Sequence, residues 1–238
     1  MTGDFLYGVN PAFEAVLAGR RELRRALLSR SAANNPRLQK LAGVLEARGV
    51  PSQWVEKGRL IDLCQSHEHQ GVVLETGPYP YVSPEEIMEQ PRLVLLDNLE
   101  DPHNVGAIIR TAEVLGYGGV LLPNRGVPHV LPSVVKASAG ATEHLRIACA
   151  GGVTAYLHSA QERGFCVVAL DGKGTHLLAE VTAARPERLL LVCGGEDRGV
   201  GQFVLSRAQF VVRIPQRGRI GSLNASVAAG IALHALAW

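Results

Sequence analysis

Short hydrophobic runs alternate with amphipathic stretches along most of the chain, a rhythm that predicts strands and helices taking turns. Near the start, NPAFEAVLAGR predicts a helix with Asn10 as its cap and Pro11 at its first position. Phe13, Val16 and Leu17 form its apolar stripe. RRALLSR reads as a strand, PRLQKLAGVLEARG as a helix closed by Gly49, and VPSQWVE as a second strand. KGRLIDLC then reads as a short helix and QGVVLET as a further strand, so residues 1–75 form a small α/β unit. The next stretch, TGPYPYVSPEEIMEQP at 76–91, holds four prolines and a single turn at Glu85 to Met88. It reads as a linker.

From residue 92 the alternation restarts with stronger apolar strands: RLVLLDN, GGVLLP, LRIA, FCVVAL, RLLLVCGG and QFVVRIP. Between them lie the helices NVGAIIRTAEVLG, LPSVVKASAGATEH, VTAYLHSAQERG and GQFVLSRA, with only a loop between FCVVAL and RLLLVCGG, and SVAAGIALHALAW closes the series. Strands that are apolar throughout predict a mostly parallel sheet covered on both faces, so residues 92–238 read as a larger α/β domain. Ligands of such sheets bind beyond the carboxyl ends of strands, here the loops after Leu96, Cys193 and Ile214.

The first loop, LDNLEDPHNVGAIIR, puts acidic and amide groups, a Pro and a His directly after a buried strand, and Asn104 is placed to cap the next helix. Ile108, Thr111, Ala112 and Leu115 share that helix's core face. Arg110 projects opposite them, either solvated, paired with Glu113 or Glu100, or offered to a ligand. In the second loop, Gly194, Gly195 and Gly199 let the backbone come close to a ligand, with Glu196 held between them. No segment matches GxGxxG or GxxxxGK[ST], which argues against a dinucleotide-dependent enzyme or a nucleoside triphosphate site. In the third loop Pro215 stops the strand, Arg217 to Arg219 is basic, and Ser222 and Asn224 are both good caps for the final helix.

Composition narrows the chemistry further. A formal charge of +2 exerts little pull on a polyanion, but 20 of the 24 basic residues are Arg, whose fork suits phosphates and base edges. A general compositional preference for Arg would give the same count. The four cysteines lie far apart without paired spacing, so they read as buried free thiols and not as disulfides or metal ligands. The longest apolar stretch, from Ala225, is broken by Ser226 and His234 and too short to span a bilayer. No charged leader opens the chain, which reads as soluble, cytoplasmic and without a membrane partner.

Three ordered motifs, NVGAIIRTAEVLG, GGEDRG and IPQRGRIGSLNASVAAGI, resemble those of the SpoU group of RNA ribose 2′-O-methyltransferases in the SPOUT superfamily. The opening YGVNPAFEAVLAG and the later HQGVVLE are similar to the small ribosomal-protein-like RNA-binding module that precedes many such enzymes. The resemblance implies a C-terminal trefoil knot, a homodimer with its active site near the interface, and S-adenosylmethionine as cofactor. Carried over by motif, the cofactor contacts are Gly194, Gly195, Gly199, Ile214 and Leu223, and the catalytic group is Arg110, Asn104, Glu196, Ser222 and Asn224. Asp197, Arg198 and Gln216 depart from the usual residues at their positions, which bears on fine specificity.

The resemblance also implies an RNA substrate, with a guanosine of 23S rRNA first. Relatives acting on a tRNA guanosine or an rRNA adenosine are the alternatives, and a non-catalytic RNA-binding assembly factor is the alternative of a different class. RRELRRALLSR offers Arg20, Arg21, Arg24 and Arg25 as a phosphate-contacting strip. With only 12 aromatic residues in the chain, shape and backbone contacts are expected to dominate over base stacking.

Overall fold

The computed structural model describes residues 4–195 and 198–237. They form two compact units, the chain up to Pro80 with Val130–His144, and Tyr81–His129 with the chain from Leu145 onward.

The first unit contains β1 (Asp4–Tyr7), α1 (Val9–Ala18), β2 (Leu23–Ser29), α2 (Pro36–Ala47), β3 (Ser52–Val55), α3 (Lys57–Cys64) and β4 (Val72–Thr76). Its sheet runs β1-β4-β2-β3, with β4 antiparallel to both neighbours and β3 parallel to β2. The edge strand β1 has no counterpart in the sequence reading. Leu6, Leu28, Leu41, Leu45 and Leu74 are fully buried in its main core, each worth about 1.5–3 kcal/mol of hydrophobic free energy. Asn10 is not the cap of α1: the helix starts two residues earlier than predicted, at Val9 after Gly8, and the Val9 N–H donates to Gln70 Oε1 at 3.1 Å. Asn10 Oδ1 instead accepts from Arg37.

The sequence reading placed Leu131–His144 in the second domain as one helix, yet Val130–His144 packs in the first unit. Only Pro132–Ala137 is helical, because Ala139 and Gly140 take left-handed backbone angles, φ 55° and 92°. Val135 of this helix joins the first unit's core, and a turn at Ala141–Glu143 follows. Nor is 76–91 a free linker. Thr76 and Tyr79 are buried in the first unit, while Ile87 and Met88 are fully buried in the core of the second.

The second unit begins with α4 (Pro84–Ile87), β5 (Arg92–Asp97), α5 (Pro102–Val114) and β6 (Gly119–Leu122). After α6, the helix Pro132–Ala137 above, come β7 (Arg146–Cys149), α7 (Val153–Glu162) and β8 (Cys166–Leu170). Then follow β9 (His176–Leu177), α8 (Leu178–Ala184), β10 (Leu189–Gly194), α9 (Gln202–Arg207), β11 (Phe210–Arg213) and α10 (Ala225–Ala235). The sequence reading had only a loop where β9 and α8 lie. The sheet runs β7-β6-β5-β10-β8-β11-β9, and its pairings are parallel. The apolar runs predicted this: Leu189 to Cys193 are all buried, at the middle of the sheet. Successive strands β5, β6 and β7 step outward on one side, whereas β8 and β11 lie on the other. Sheets that reverse in this way gather ligands at the carboxyl ends of the strands flanking the reversal. No helix among the described residues is long and apolar enough to cross a membrane.

Candidate active site

At the carboxyl end of β10 the backbone turns so tightly that side chains are excluded. A Cβ on Gly194 would collide with the backbone of Gly199 and Val200, and one on Gly195 with the carbonyl of Asn98. The neighbouring loop braces this turn. The Gly195 N–H donates to the Asp97 carbonyl at 3.0 Å, and the buried Asp97 carboxylate accepts from the Gly201 N–H at 2.8 Å. Asp97 was not among the predicted site residues, although its position at the end of an apolar strand was the signal that could have found it.

The turn forms one side of a cleft of about 880 Å³. Gly194, Gly195 and Gly199 line it from β10, Ile214 from the end of β11, and Ser222 and Leu223 from the segment before α10. Six positions that the motifs implied therefore share one cavity. Glu196 lies outside the described residues. The fourth wall was missed: Asp171, Gly172 and Lys173 close the cleft from the end of β8, and Arg198 and Arg213 add positive charge. The signal was LDGKG, polar residues straight after an apolar parallel strand, the same criterion that picked out the other three loops.

Beside Leu223 and Ala225, which line the cleft, stands Asn224, the N-cap of α10. Its Oδ1 accepts from the backbone N–H groups of Ser226 at 2.9 Å and Val227 at 3.2 Å, and from the Ser226 hydroxyl at 2.6 Å. Ser222, the other cap candidate, is exposed and lies before the helix. With its oxygen committed, the Asn224 amide turns its Nδ2 to Asn104 Oδ1 at 3.0 Å. Asn104 is buried inside α5 and is not that helix's cap. Asp101 is, accepting from the His103 N–H at 2.9 Å with Pro102 at the first position. Arg110 is exposed on α5, as its phase predicts, about 9 Å along the axis from Asn104. The ion pairs among the described residues do not include it, so neither Glu113 nor Glu100 holds its guanidinium.

Cys193 borders the cleft, but burial pushes its thiol up to about 12, which leaves it protonated and unreactive at neutral pH. The four cysteines are free thiols. Cys64 and Cys193 are buried as expected, whereas Cys149 and Cys166 are half-buried at strand ends.

In the first unit the arginine strip is largely neutralised. Arg21 is a correction: it is 8% exposed and bonds Glu143 through Nε and Nη2, each at 2.8 Å. A guanidinium sealed against a carboxylate is not free to meet phosphate. Arg25 pairs with Glu75 at 2.7 Å, which raises its already high pKa, and Arg24 lies 3.2 Å from Glu22. Arg20 reaches the Glu143 carbonyl at 3.4 Å. Three of the four carboxylate and carbonyl partners lie outside the segment RRELRRALLSR, so counting charges within it could not reveal them.

Comparison with known proteins agrees with this geometry. The SpoU rRNA Methylase family matches residues 91–234, and the RNA 2'-O ribose methyltransferase substrate binding family matches residues 5–82. A Bacillus subtilis (strain 168) protein named as a TrmH family tRNA/rRNA methyltransferase is 33% identical over 238 residues, covering 97% of this chain and 94% of its own. The crystal structure of an RNA 2′-O ribose methyltransferase superposes with a TM-score of 0.80 at 26% identity, over 98% of this chain and 86% of that one. An rRNA methyltransferase from Sinorhizobium meliloti, crystallised with AdoMet, shares the fold with a TM-score of 0.78 at 24% identity, over 98% and 86% of the two chains. With two motif loops lining one cleft, the third tied to them through the Asn104–Asn224 bond, and a family match across more than half its length, the chain belongs to the SpoU rRNA methylase family and is an RNA methyltransferase of the SpoU/TrmH type.

Proposed function

We propose that the protein transfers a methyl group from S-adenosylmethionine to a ribose 2′-hydroxyl of RNA, the target being a guanosine of 23S rRNA. The observation that carries this reading is the Asn224 to Asn104 hydrogen bond, which joins two of the three motifs at the edge of the cleft formed with the third. The cleft suits the cofactor chemically. Its glycine turn admits close backbone approach, Leu170, Val200 and Leu205 offer apolar surface for an adenine, and Asp171 with Lys173 offers opposite charges for an amino acid zwitterion. S-adenosylmethionine held there by Gly194, Gly195, Gly199, Ile214 and Leu223 supplies an electrophilic methyl group.

The protein's own task is to position the hydroxyl and handle its proton. A guanidinium does not deprotonate in a protein, so Arg110 acts by clamping the adjacent phosphate and stabilising the developing alkoxide, while water or phosphate takes the proton. Asn104, Glu196 and Asn224 fix the ribose, with Ser222 beside them. The exposed Val114 lies one turn beyond Arg110 on α5, and exposed Val227 and Ile231 lie on α10, which packs against α5. Unpartnered apolar residues beside a catalytic arginine support a homodimer with its active site near the interface. The position of β11 outside β8, with α10 returning onto β10 and α5, supports the trefoil knot that the family implies. A cytoplasmic location follows from the RNA substrate.

Transfer of labelled methyl to total RNA, followed by mass-spectrometric mapping of ribose methylation in rRNA and tRNA with and without the gene, tests the assignment. Arg110→Ala is expected to abolish transfer without unfolding the protein. If Arg110→Lys restores most of the rate with a new ionisation near neutral pH, the clamp is wrong and a general base is right.

A further inference from the structure

The open edge of the first unit's sheet carries a second concavity, of about 420 Å³, between the last turn of α2 and β3. Cavities of this size hold single small ligands. Leu28 and Val50 make an apolar floor, the half-buried indole of Trp54 makes a wall, and the exposed Glu46 stands at the rim. The Glu46 carboxylate makes no hydrogen bond or ion pair among the described residues.

The edge itself is mostly blocked. Among the described residues β3 pairs only with β2, and the Pro51 carbonyl accepts from the Ala26 N–H at 2.8 Å, so residues 51, 53 and 55 bond inward while Ser52 and Trp54 face outward. Arg30 Nε donates to the Trp54 carbonyl at 3.3 Å, and Pro51 has no N–H to offer. The N–H and C=O of Ser52 are left as a donor and acceptor pair next to the indole. An added β-strand needs a run of such pairs, whereas one nucleobase needs a single pair and an aromatic face. A carboxylate at the rim repels phosphate and accepts from an exocyclic amine.

We propose that this concavity reads one unstacked, amine-bearing base of the RNA substrate. Trp54 stacks on its face, and the Ser52 backbone with the Glu46 carboxylate reads its edge. The site takes adenine, cytosine or guanine in preference to uracil, and it supplies the base contact that the scarcity of aromatics argued against. This proposal rests on the RNA methyltransferase reading above.

The test uses the full chain carrying Trp238→Phe, which leaves Trp54 as its sole indole. Single-stranded oligoadenylate is expected to quench Trp54 emission, and oligouridylate or an RNA duplex to do so much less. Trp54→Leu should weaken oligoadenylate binding roughly 5- to 150-fold, the usual effect of removing one base stack, while staying folded at the assay temperature, as a melting curve of the same sample checks. Glu46→Ala, which leaves the core untouched, should erase the preference for oligoadenylate over oligouridylate. If the same preparation methylates RNA while Trp54 emission stays unmoved and Trp54→Leu binds normally, the pocket is refuted and the methyltransferase reading stands. Equal quenching by duplex, or self-association through this edge seen by sedimentation, also overturns it. If no RNA is bound or methylated, both readings fail together.

Discussion

Cutting Arg21 back to alanine strands the Glu143 carboxylate, 1% exposed, without its cation. In the intact protein that carboxylate takes both guanidinium bonds at 2.8 Å and a third from the Thr142 hydroxyl at 3.1 Å. The Tyr79 ring centre lies 4.7 Å from the guanidinium carbon, and the Tyr79 hydroxyl donates to the Thr142 carbonyl at 2.5 Å. Removing one partner of such a buried pair costs about 3–5 kcal/mol, because the survivor keeps its desolvation penalty and loses its compensation. In a unit of this size each kcal/mol moves the melting temperature by about 4–8 °C, so a drop of at least about 12 °C is expected by calorimetry. The companion variant removes both charges, Arg21→Met with Glu143→Leu, and should recover to within about 1 kcal/mol of the parent or exceed it. A single variant melting within about 2 °C of the parent refutes the buried pair. A double variant as unstable as the single refutes the stranded charge as the cause.

Asn224→Asp separates the two duties of that residue: the acceptor that caps α10 survives, while the donor to Asn104 is lost. Methyl transfer should fall sharply with the melting temperature held, whereas Asn224→Ala should lose transfer and also about 1 kcal/mol of stability. His69 is buried, accepts from the Gly71 N–H at 3.0 Å, and has a pKa lowered first by burial and then by Lys57, His67 and Lys136. Its contribution to stability is full above the unfolded value of about 6.5 and is lost as pH falls toward the folded one. Urea titrations at about pH 7.5 and about pH 5.5 should therefore show the parent losing more stability on acidification than His69→Gln.

The strands of the second unit were legible because both faces of the sheet are buried, so the runs from Leu93 to Leu96 and Leu189 to Cys193 are apolar without interruption. Two of the three cleft loops, those after Cys193 and Ile214, were legible as well, each following a mainly apolar strand. What stayed hidden depends on partners distant in sequence. Arg21 looked like surface charge because Glu143 lies 122 residues away, and the first turn of α1 is satisfied by Gln70, 61 residues on. β9, of two residues, is too short to show periodicity, and α8 begins immediately after it. Asn104 was taken for a cap because its residue type suits one, but Asp101 three residues earlier suits it equally and has Pro102 after it.

The cap on α10 also makes the site an all-or-none assembly. The cleft wall at Ser222 and Leu223 leads directly into the turn that starts this helix, and the amide that reaches Asn104 belongs to its cap. Fraying of the first turn of α10 therefore removes the cap, the reach to Asn104 and the neighbouring wall together, so local opening of this one helix end switches the site off without unfolding the sheet.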